Sequence, residues 1–239
     1  MDIEAMEAIE RLVKEALSLG RATLVEPEVK EILKLGSIAV PKYQVVKDVN
    51  VAMEVGDTMG YPLVLKIISP NIPHKSDVSG IKLNLRSAVD VEDAWSGMIL
   101  HIADEMPMAL IEGFILEEMV ESGAEVITGA VKDKQFGVTA MFGTGGVSVE
   151  LMKDVSFALT PLDKKEALAM MREVKGFPLL TGYRGDPPRD IEAVAEVLVK
   201  LSEIVEGTDG LKELEINPLI VYEKGVIAVD AKAVLHIEE

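Results

Sequence analysis

Hydrophobic residues recur at helical spacing near the start of the chain. Apolar side chains follow one another at three- and four-residue steps between residues 3 and 17, and Gly20 stands just past the last of them. This spacing predicts an amphipathic helix with one buried face. The same pattern predicts further helices over residues 27–35, 51–59, 91–103, 162–174 and 190–205. Asp90 is placed to cap the helix over 91–103, with Asp93 as its capping-box partner.

Short apolar runs between these helices predict strands. Residues 61–68 form an apolar run with β-branched residues, which is typical of a buried strand, and residues 81–85 alternate like a half-buried one. Further strands are predicted over 40–46, 114–118, 125–131, 136–141, 213–221 and 226–230. Because 125–131 and 136–141 lie too close together for a crossover helix, we expect largely antiparallel sheets. The fold class is therefore predicted to be α+β.

Charge and composition narrow the range of partners. The 24 Lys and Arg residues face 41 Asp and Glu residues, giving a net charge of −17 that disfavours binding to nucleic acid or anionic membranes. Charged residues interrupt each apolar run before the roughly 18 apolar residues of a membrane helix, and the start lacks the pattern of a secretory signal. The absence of cysteine excludes disulfides and thiolate metal sites. We expect a cytoplasmic protein without nucleic-acid or membrane partners.

A lysine interrupts the apolar strand predicted over 61–68. A buried ammonium group without a partner is costly, so an anionic group is expected to meet Lys66. The alternative is a strand at the edge of its sheet, from which the lysine head reaches water. The position of the residue in the sequence leaves both alternatives open.

The polar loop after that strand concentrates reactive side chains. Residues 74–80 read His-Lys-Ser-Asp-Val-Ser-Gly. Lys75 and backbone N–H groups of such a loop can hold phosphate oxygens, and His74 can act as an acid, a base or a nucleophile. A surface loop that is polar for no catalytic reason is the alternative.

A glycine-rich segment at 142–150 follows a predicted strand and is able to bring bare backbone close to a phosphate. The segment lacks the lysine and the spacing of a P-loop, and it also lacks the spacing of a dinucleotide fingerprint. A tight hairpin without a ligand is the alternative.

Acidic and amide side chains alternate along the strand predicted over 213–221. Glu213, Glu215 and Asn217 are expected on one face of this strand, and Asp230 ends the next predicted strand. Carboxylate and amide oxygens are suitable ligands for Mg²⁺, with substrate phosphates completing the octahedron. The alternative is an exposed polar face, although a proline directly after Asn217 favours a functional bend.

Together these segments resemble the ATP-grasp (beta) subunits of ADP-forming acyl-CoA synthetases, also called ADP-forming acetate–CoA ligases. The resemblance covers about residues 20–235 and rests on motifs that occur in the family's order. These motifs are Gly-Tyr-Pro-Leu-Val-Leu-Lys at 60–66, Ser-Pro-Asn-Ile-Pro-His-Lys-Ser-Asp at 69–77, Gly-Gly-Val-Ser-Val-Glu at 145–150, Gly-Tyr-Arg-Gly at 182–185 and Glu-Leu-Glu-Ile-Asn-Pro-Leu at 213–219. The resemblance implies an ATP-grasp fold in which two α+β lobes clamp a nucleotide, with an N-terminal helix at 1–19 and lobes at 20–109 and 110–239.

The family's activity is the reversible conversion of acyl-CoA, ADP and phosphate into carboxylic acid, CoA and ATP. A CoA-binding alpha subunit carries the phosphoryl group on its own histidine, and two alpha and two beta chains are expected to assemble. This chain resembles the part that binds ADP or ATP together with Mg²⁺. A succinate–CoA ligase-like ATP-grasp subunit and a non-catalytic nucleotide-sensing subunit are the alternatives. The histidine-containing loop and the short chain disfavour the first of them, and the intact candidate residues disfavour the second.

The resemblance also implies which residues bind the nucleotide and the metal. Lys66 and Lys75 are expected on the nucleotide phosphates, and Asn217 and Asp230 on Mg²⁺. Backbone groups of a hinge are expected to meet the adenine, and an acidic residue the ribose. The hinge residues are Glu117, Glu118 and Met119, and the acidic residue is Glu125.

Two further residues take catalytic roles by resemblance. His74 is expected to relay the phosphoryl group from the alpha subunit to the nucleotide, and Glu215 to stabilise the phosphohistidine. The sequence departs from the family at two positions, because Ser79 stands where glycine is common and Glu215 where aspartate is common. We expect the first change to tighten the phosphate loop and the second to lengthen the reach of the acid.

Overall fold

The protein is represented by a computed structural model that describes residues 1–72, 75–145 and 154–237. The helices in these ranges are α1 (Ile3–Ser18), α2 (Glu26–Leu35), α3 (Val49–Met59), α4 (Ala88–Glu105), α5 (Lys164–Met171) and α6 (Ile191–Gly207). The strands are β1 (Tyr43–Val46), β2 (Leu63–Ile68), β3 (Ile81–Leu85), β4 (Gly113–Glu118), β5 (Ala124–Asp133), β6 (Gly137–Thr144), β7 (Val155–Leu159), β8 (Leu211–Val221), β9 (Val226–Ala228) and β10 (Ala231–Leu235). None of the helices in these ranges is long and apolar enough to cross a membrane.

The chain divides into two compact units, which we call the first and the second unit. The first comprises Met1–Val40 and Ser122–Glu239, and the second comprises Pro41–Glu121. This division differs from the predicted lobes at 20–109 and 110–239. Residues 20–40 join the first unit because α2 packs on its sheet, and residues 110–121 join the second because β4 pairs with both β1 and β2. The predicted separate helix α1 buries its apolar face in the core of the first unit.

The second unit is built on a four-stranded antiparallel sheet in the order β1-β4-β2-β3. Helices α3 and α4 supply apolar side chains to its core. Trp95 of α4 lies against Phe114 of β4 with ring centroids 4.1 Å apart. Each of the six residues of β2 is buried, as the apolar run in the sequence predicts for this strand.

Helix α4 begins one turn earlier than predicted, so the capping roles assigned to Asp90 and Asp93 are wrong. Ser87 is the N-cap, and its hydroxyl accepts a hydrogen bond from the backbone N–H of Asp90 at 3.2 Å. The Asp90 carboxylate accepts a hydrogen bond from the N–H of Arg86 at 2.7 Å. Serine followed three residues later by an acid therefore starts the helix, and Asp90 lies inside the first turn.

The first unit is built on a six-stranded antiparallel sheet in the order β10-β8-β5-β6-β7, with β9 paired to the far end of β8. Helix α6 packs on its central strands. The sequence patterns identify neither β7 nor β10, the two strands at the ends of the strand order. As a result Asp230 lies between β9 and β10 rather than at the end of the last strand.

Candidate functional site

Lys66 lies in an internal strand and is paired with a carboxylate. Its side chain is 2% exposed, and its Nζ is 2.9 Å from Oε1 of Glu117, whose side chain is 1% exposed. Strand β2 lies between β3 and β4, so the edge-strand alternative is wrong. The expectation that an anionic group meets Lys66 is confirmed, and that group is a residue for which the sequence suggested only a backbone role. An acid placed in a second apolar strand, directly after Phe114-Ile115-Leu116, is the signal that identifies it.

Tyr61 fixes the turn that leads into β2. Its hydroxyl donates a hydrogen bond to Oδ1 of Asp57 at 2.8 Å. Burial and this hydrogen bond raise the pKa of Tyr61 to about 12, because both favour the neutral phenol. The glycine-tyrosine-proline motif before Lys66 is therefore tied to α3, which holds the entry of the strand in place.

Backbone N–H groups at the predicted adenine hinge already have partners within the second unit. The N–H of Glu118 donates to the carbonyl oxygen of Lys42 at 2.9 Å, and that of Met119 donates to Pro62 at 3.1 Å. The Glu118 carboxylate also accepts a hydrogen bond from the N–H of Lys42 at 3.1 Å. A role for Glu117, Glu118 and Met119 in binding adenine therefore requires other groups of this segment, or the displacement of these bonds.

The loop after β2 closes back on the strand beside Lys66. The carbonyl oxygen of Lys75 accepts a hydrogen bond from the N–H of Gly80 at 2.7 Å, and the N–H of Ile67 donates to Gly80 at 3.0 Å. Lys75 begins a short 3-10 helix over Lys75–Val78. The loop that contains this helix is hydrogen-bonded through Gly80 to Ile67, the residue after Lys66. The predicted catalytic residue His74 lies outside the described residues.

Ser79 holds a backbone conformation that favours glycine. Its φ is +52°, in the left-handed region that costs a residue with a side chain about 1–2 kcal/mol. We expect Ser79→Gly to raise the free energy of unfolding by about 1 kcal/mol, since the greater freedom of glycine in the unfolded chain offsets part of the gain. Urea denaturation measures this change.

Ser87→Gly is the matched control for this substitution. Ser87 has a φ of −155° and caps α4, and glycine at an N-cap changes stability by only a few tenths of a kcal/mol. A Ser79→Gly variant that is no more stable than the parent would contradict the role of the left-handed conformation at this position.

The predicted metal residues are neighbours in the first unit. The N–H of Asn217 donates to the carbonyl oxygen of Asp230 at 2.9 Å, and the N–H of Val229 donates to that of Pro218 at 3.1 Å. The pairing of β5 with β8 shifts register opposite Asn217 and Pro218, so a β-bulge lies where the sequence predicted a bend.

The side chains of these two residues fit the requirements of Mg²⁺. Asn217 is exposed and Asp230 is half-buried, so an amide oxygen and a carboxylate lie at one bulge. Oδ1 of Asp230 also accepts a hydrogen bond from the N–H of Ala231 at 2.9 Å. Sites of this kind use one or two carboxylates and leave the other positions to water and substrate phosphates. Within the part of the chain that the structure describes, no group of three or more His, Cys, Asp or Glu side chains is arranged to hold a metal. A cation held by Asn217 and Asp230 would leave coordination positions for water and substrate phosphates.

Glu215 lies on the polar face of β8, as predicted. Leu214 and Ile216 are buried, whereas Glu213 and Glu215 are half-buried, which confirms the alternation. Glu215 stands opposite Gly129 of β5 and Lys232 of β10. A groove of about 220 Å³ passes along this face, with Glu213 and Glu215 among its lining residues.

Glu125 is exposed on β5 and lies against the start of the glycine-rich segment. Its carbonyl oxygen accepts a hydrogen bond from the N–H of Gly145 at 2.6 Å. A Cβ atom at Gly145 would lie 2.6 Å from the carbonyl carbon and oxygen of Glu125, so this approach requires glycine. The rest of the segment, residues 146–150, lies outside the described residues.

The sequence matches the family described as an ATP-grasp domain over residues 15–235. It is 44% identical over 212 residues to the acetate–CoA ligase [ADP-forming] I subunit beta of Pyrococcus furiosus, a match that covers 89% of this chain and 91% of that protein. The α+β architecture described above is therefore the ATP-grasp fold.

Solved structures of one archaeal enzyme are also similar to this chain. Ca. Korarchaeum cryptofilum dinucleotide forming acetyl-coenzyme A synthetase 1, in complex with coenzyme A and Ca-AMPCP, matches with a TM-score of 0.92 and 41% identity, over 95% of this chain and 99% of that chain. A second structure of that enzyme contains coenzyme A and Mg-AMPPCP, with a phosphohistidine segment pointing towards the nucleotide binding site. It matches with a TM-score of 0.82 and 38% identity, over 95% of this chain and 100% of that chain. The chain belongs to the ATP-grasp domain family and, within it, to the beta subunits of ADP-forming acetate–CoA ligases.

Proposed function

We propose that this chain is the nucleotide-binding catalytic subunit of an ADP-forming acyl-CoA synthetase. The enzyme converts acyl-CoA, ADP and phosphate into a carboxylic acid, CoA and ATP, and its CoA-binding steps take place on a separate alpha subunit. The observation that carries this proposal is the 44% identity to a beta subunit over nearly its whole length. The family match at residues 15–235 spans each of the candidate residues.

The roles of the nucleotide-binding residues follow from their chemistry. Phosphoryl transfer depends on positioning and on neutralising oxygen charge, and a chain with a net charge of −17 must supply cations locally. Lys66 lies in β2 of the second unit and Lys75 in the loop after it. Because the ammonium group of Lys66 is paired with Glu117, it reaches a phosphate by sharing or leaving that carboxylate. Asn217 and Asp230 provide the oxygen ligands for Mg²⁺, which neutralises phosphate charge when it is bound.

The phosphoryl group reaches the nucleotide through His74. A neutral imidazole nitrogen of His74 attacks the phosphorus held on the alpha subunit's histidine, so that one P–N bond breaks as another forms. A terminal oxygen of ADP then attacks the same phosphorus and releases the imidazole, which gives ATP. The Glu215 carboxylate stabilises the positive charge of the phosphorylated ring.

Reconstitution with the alpha subunit tests the proposal. The isolated chain is expected to bind ADP with Mg²⁺ but to form no ATP from acetyl-CoA, phosphate and ADP. Adding the CoA-binding subunit that co-purifies from the source organism should restore ATP formation, and we expect a complex with two copies of each chain by light scattering. ATP formation by the isolated chain, or a failure to bind ADP, would overturn the proposal.

Two measurements address the alternatives. A panel of acetate, branched, aryl and dicarboxylic acids in the reverse reaction distinguishes an acetate or acyl enzyme from a succinate–CoA ligase-like one. Incubation of the complex with labelled phosphate, acetyl-CoA and ADP distinguishes a catalytic subunit from a nucleotide sensor, because only the former transfers label into ATP.

A further inference from the structure

An ion pair is buried in α2, where sequence analysis assigned no role. The side chains of Glu26 and Lys30 are 3% and 1% exposed, and Nζ of Lys30 lies 3.3 Å from Oε1 of Glu26. Acid and lysine four residues apart are typical of an exposed helix face, where such a pair costs little to form. Burying both charges is costly, and a pair of apolar side chains would fill the same space at least as stably. The pair therefore calls for an explanation beyond packing.

Lys30 contacts the connection between β9 and β10, which holds Asp230, one of the two predicted metal ligands. Its Nζ donates to the carbonyl oxygen of Val229, 199 residues away in sequence, at 3.3 Å. Val229 precedes Asp230, and its own N–H donates to Pro218 at 3.1 Å. The N–H of Asn217 donates to Asp230 at 2.9 Å. Two backbone hydrogen bonds join the segments that carry Asn217 and Asp230. Val229, whose carbonyl oxygen Lys30 contacts, makes one of them, and the next residue, Asp230, makes the other.

We propose that Lys30 is a positioning residue for the Mg²⁺ site at Asn217 and Asp230, with Glu26 balancing its charge. This inference rests on the proposed function of those two residues. Mg²⁺ requires near-ideal octahedral geometry at about 2.0–2.1 Å, so small displacements of a ligand weaken binding. The ammonium group fixes the Val229 carbonyl and with it the backbone that precedes Asp230. The carboxylate of Glu26 offsets the positive charge, which would otherwise repel a cation nearby.

Binding of Mn²⁺, used in place of Mg²⁺, tests this role without relying on activity. The free Mn²⁺ signal in electron paramagnetic resonance is titrated with the full chain at saturating ADP. Lys30→Met is expected to raise the apparent Kd for Mn²⁺ about 10- to 100-fold, the range for residues that orient metal ligands. The variant is also expected to be less stable, because it leaves the Glu26 carboxylate buried without its ammonium group.

The double variant Glu26→Met/Lys30→Met separates positioning from stability. Replacing both charges should recover the thermal stability of the parent while Mn²⁺ binding stays weak. A double variant with parental Mn²⁺ affinity would show that the pair only stabilises the fold, and it would overturn the inference. Lys34→Met is the matched control, since Lys34 lies one turn further along α2 with its side chain 46% exposed. It should change neither quantity.

Asp230→Ala distinguishes this inference from the function on which it rests. If Asp230→Ala loses Mn²⁺ and the Lys30 variants do not, the positioning role is wrong and the metal site stands. If Asp230→Ala binds Mn²⁺ like the parent, the metal site itself is wrong, and the role of Lys30 falls with it.

Discussion

Replacing Lys66 by Met is expected to lower the free energy of unfolding by about 3–5 kcal/mol, because it leaves the Glu117 carboxylate buried without its ammonium partner. The two side chains are 2% and 1% exposed and lie 2.9 Å apart, so little water is available to solvate the remaining charge. Urea denaturation of the full chain measures the loss. The same variant is expected to bind ADP about 10- to 150-fold more weakly, which corresponds to the loss of one hydrogen bond to a charged group.

The double variant Lys66→Met/Glu117→Met separates these two effects. A buried ion pair replaced by apolar side chains of similar volume often leaves stability unchanged or improved. We therefore expect the double variant to unfold near the midpoint of the parent and still to bind ADP weakly. Isothermal titration calorimetry with ADP and Mg²⁺ measures the affinity.

Lys82→Met is the matched control for the loss of a lysine from this sheet. Lys82 is exposed on β3, the strand next to β2, and its removal should change neither stability nor affinity. If the double variant binds ADP as tightly as the parent, the pair is purely structural and Lys66 does not contact the nucleotide.

The helices and most strands of this fold could be predicted because their apolar faces have regular periods. The amphipathic pattern over residues 3–17 corresponds to α1, and the apolar run at 61–68 corresponds to β2. The residues that end such elements can also be recognised from the neighbouring sequence, as Gly20 can after α1. Strands β7 and β10 are missed, and their extended conformation is fixed by pairing with β6 and β8, which lie outside the local patterns used to assign strands.

The candidate residues could be identified from the sequence, but their partners could not. Lys66 in an apolar strand indicates a buried charge, yet Glu117 lies 51 positions later and is brought beside it by the pairing of β2 with β4. The burial of Lys30 is still harder to predict, because a glutamate four residues before a lysine is typical of an exposed ion pair. Its burial depends on contact with Val229, which no local pattern contains.

The importance of Ser79 could be predicted only in part. The resemblance indicates a position where glycine is common, and the sequence alone led us to expect a tighter loop. The structure gives the physical reason for the family's glycine, which is a φ of +52°. The departure from the family pattern therefore marked this position, but its left-handed conformation could not be read from the sequence.

Replacing His74 by Ala is expected to abolish ATP formation by the reconstituted enzyme, with a fall of more than about 10³-fold, towards the upper end for removal of one catalytic group. The phosphoryl group then lacks the acceptor nitrogen of His74 and cannot pass from the alpha subunit to ADP. Affinity for ADP should stay unchanged, because Lys66, Asn217 and Asp230 are intact. A coupled ATP assay measures turnover, and calorimetry measures binding.

The proposed relay also predicts a covalent intermediate. With labelled phosphate, acetyl-CoA and the alpha subunit but no ADP, this chain should acquire acid-labile phosphate, whereas His74→Ala should not and the alpha subunit should remain labelled. Glu215→Gln should reduce the label on this chain, since it removes the charge that stabilises the phosphorylated ring. His101→Ala is the control, because His101 is exposed on α4 and the proposed transfer assigns it no role. Parental turnover by His74→Ala would exclude the relay, since the phosphoryl group would then reach ADP without that histidine.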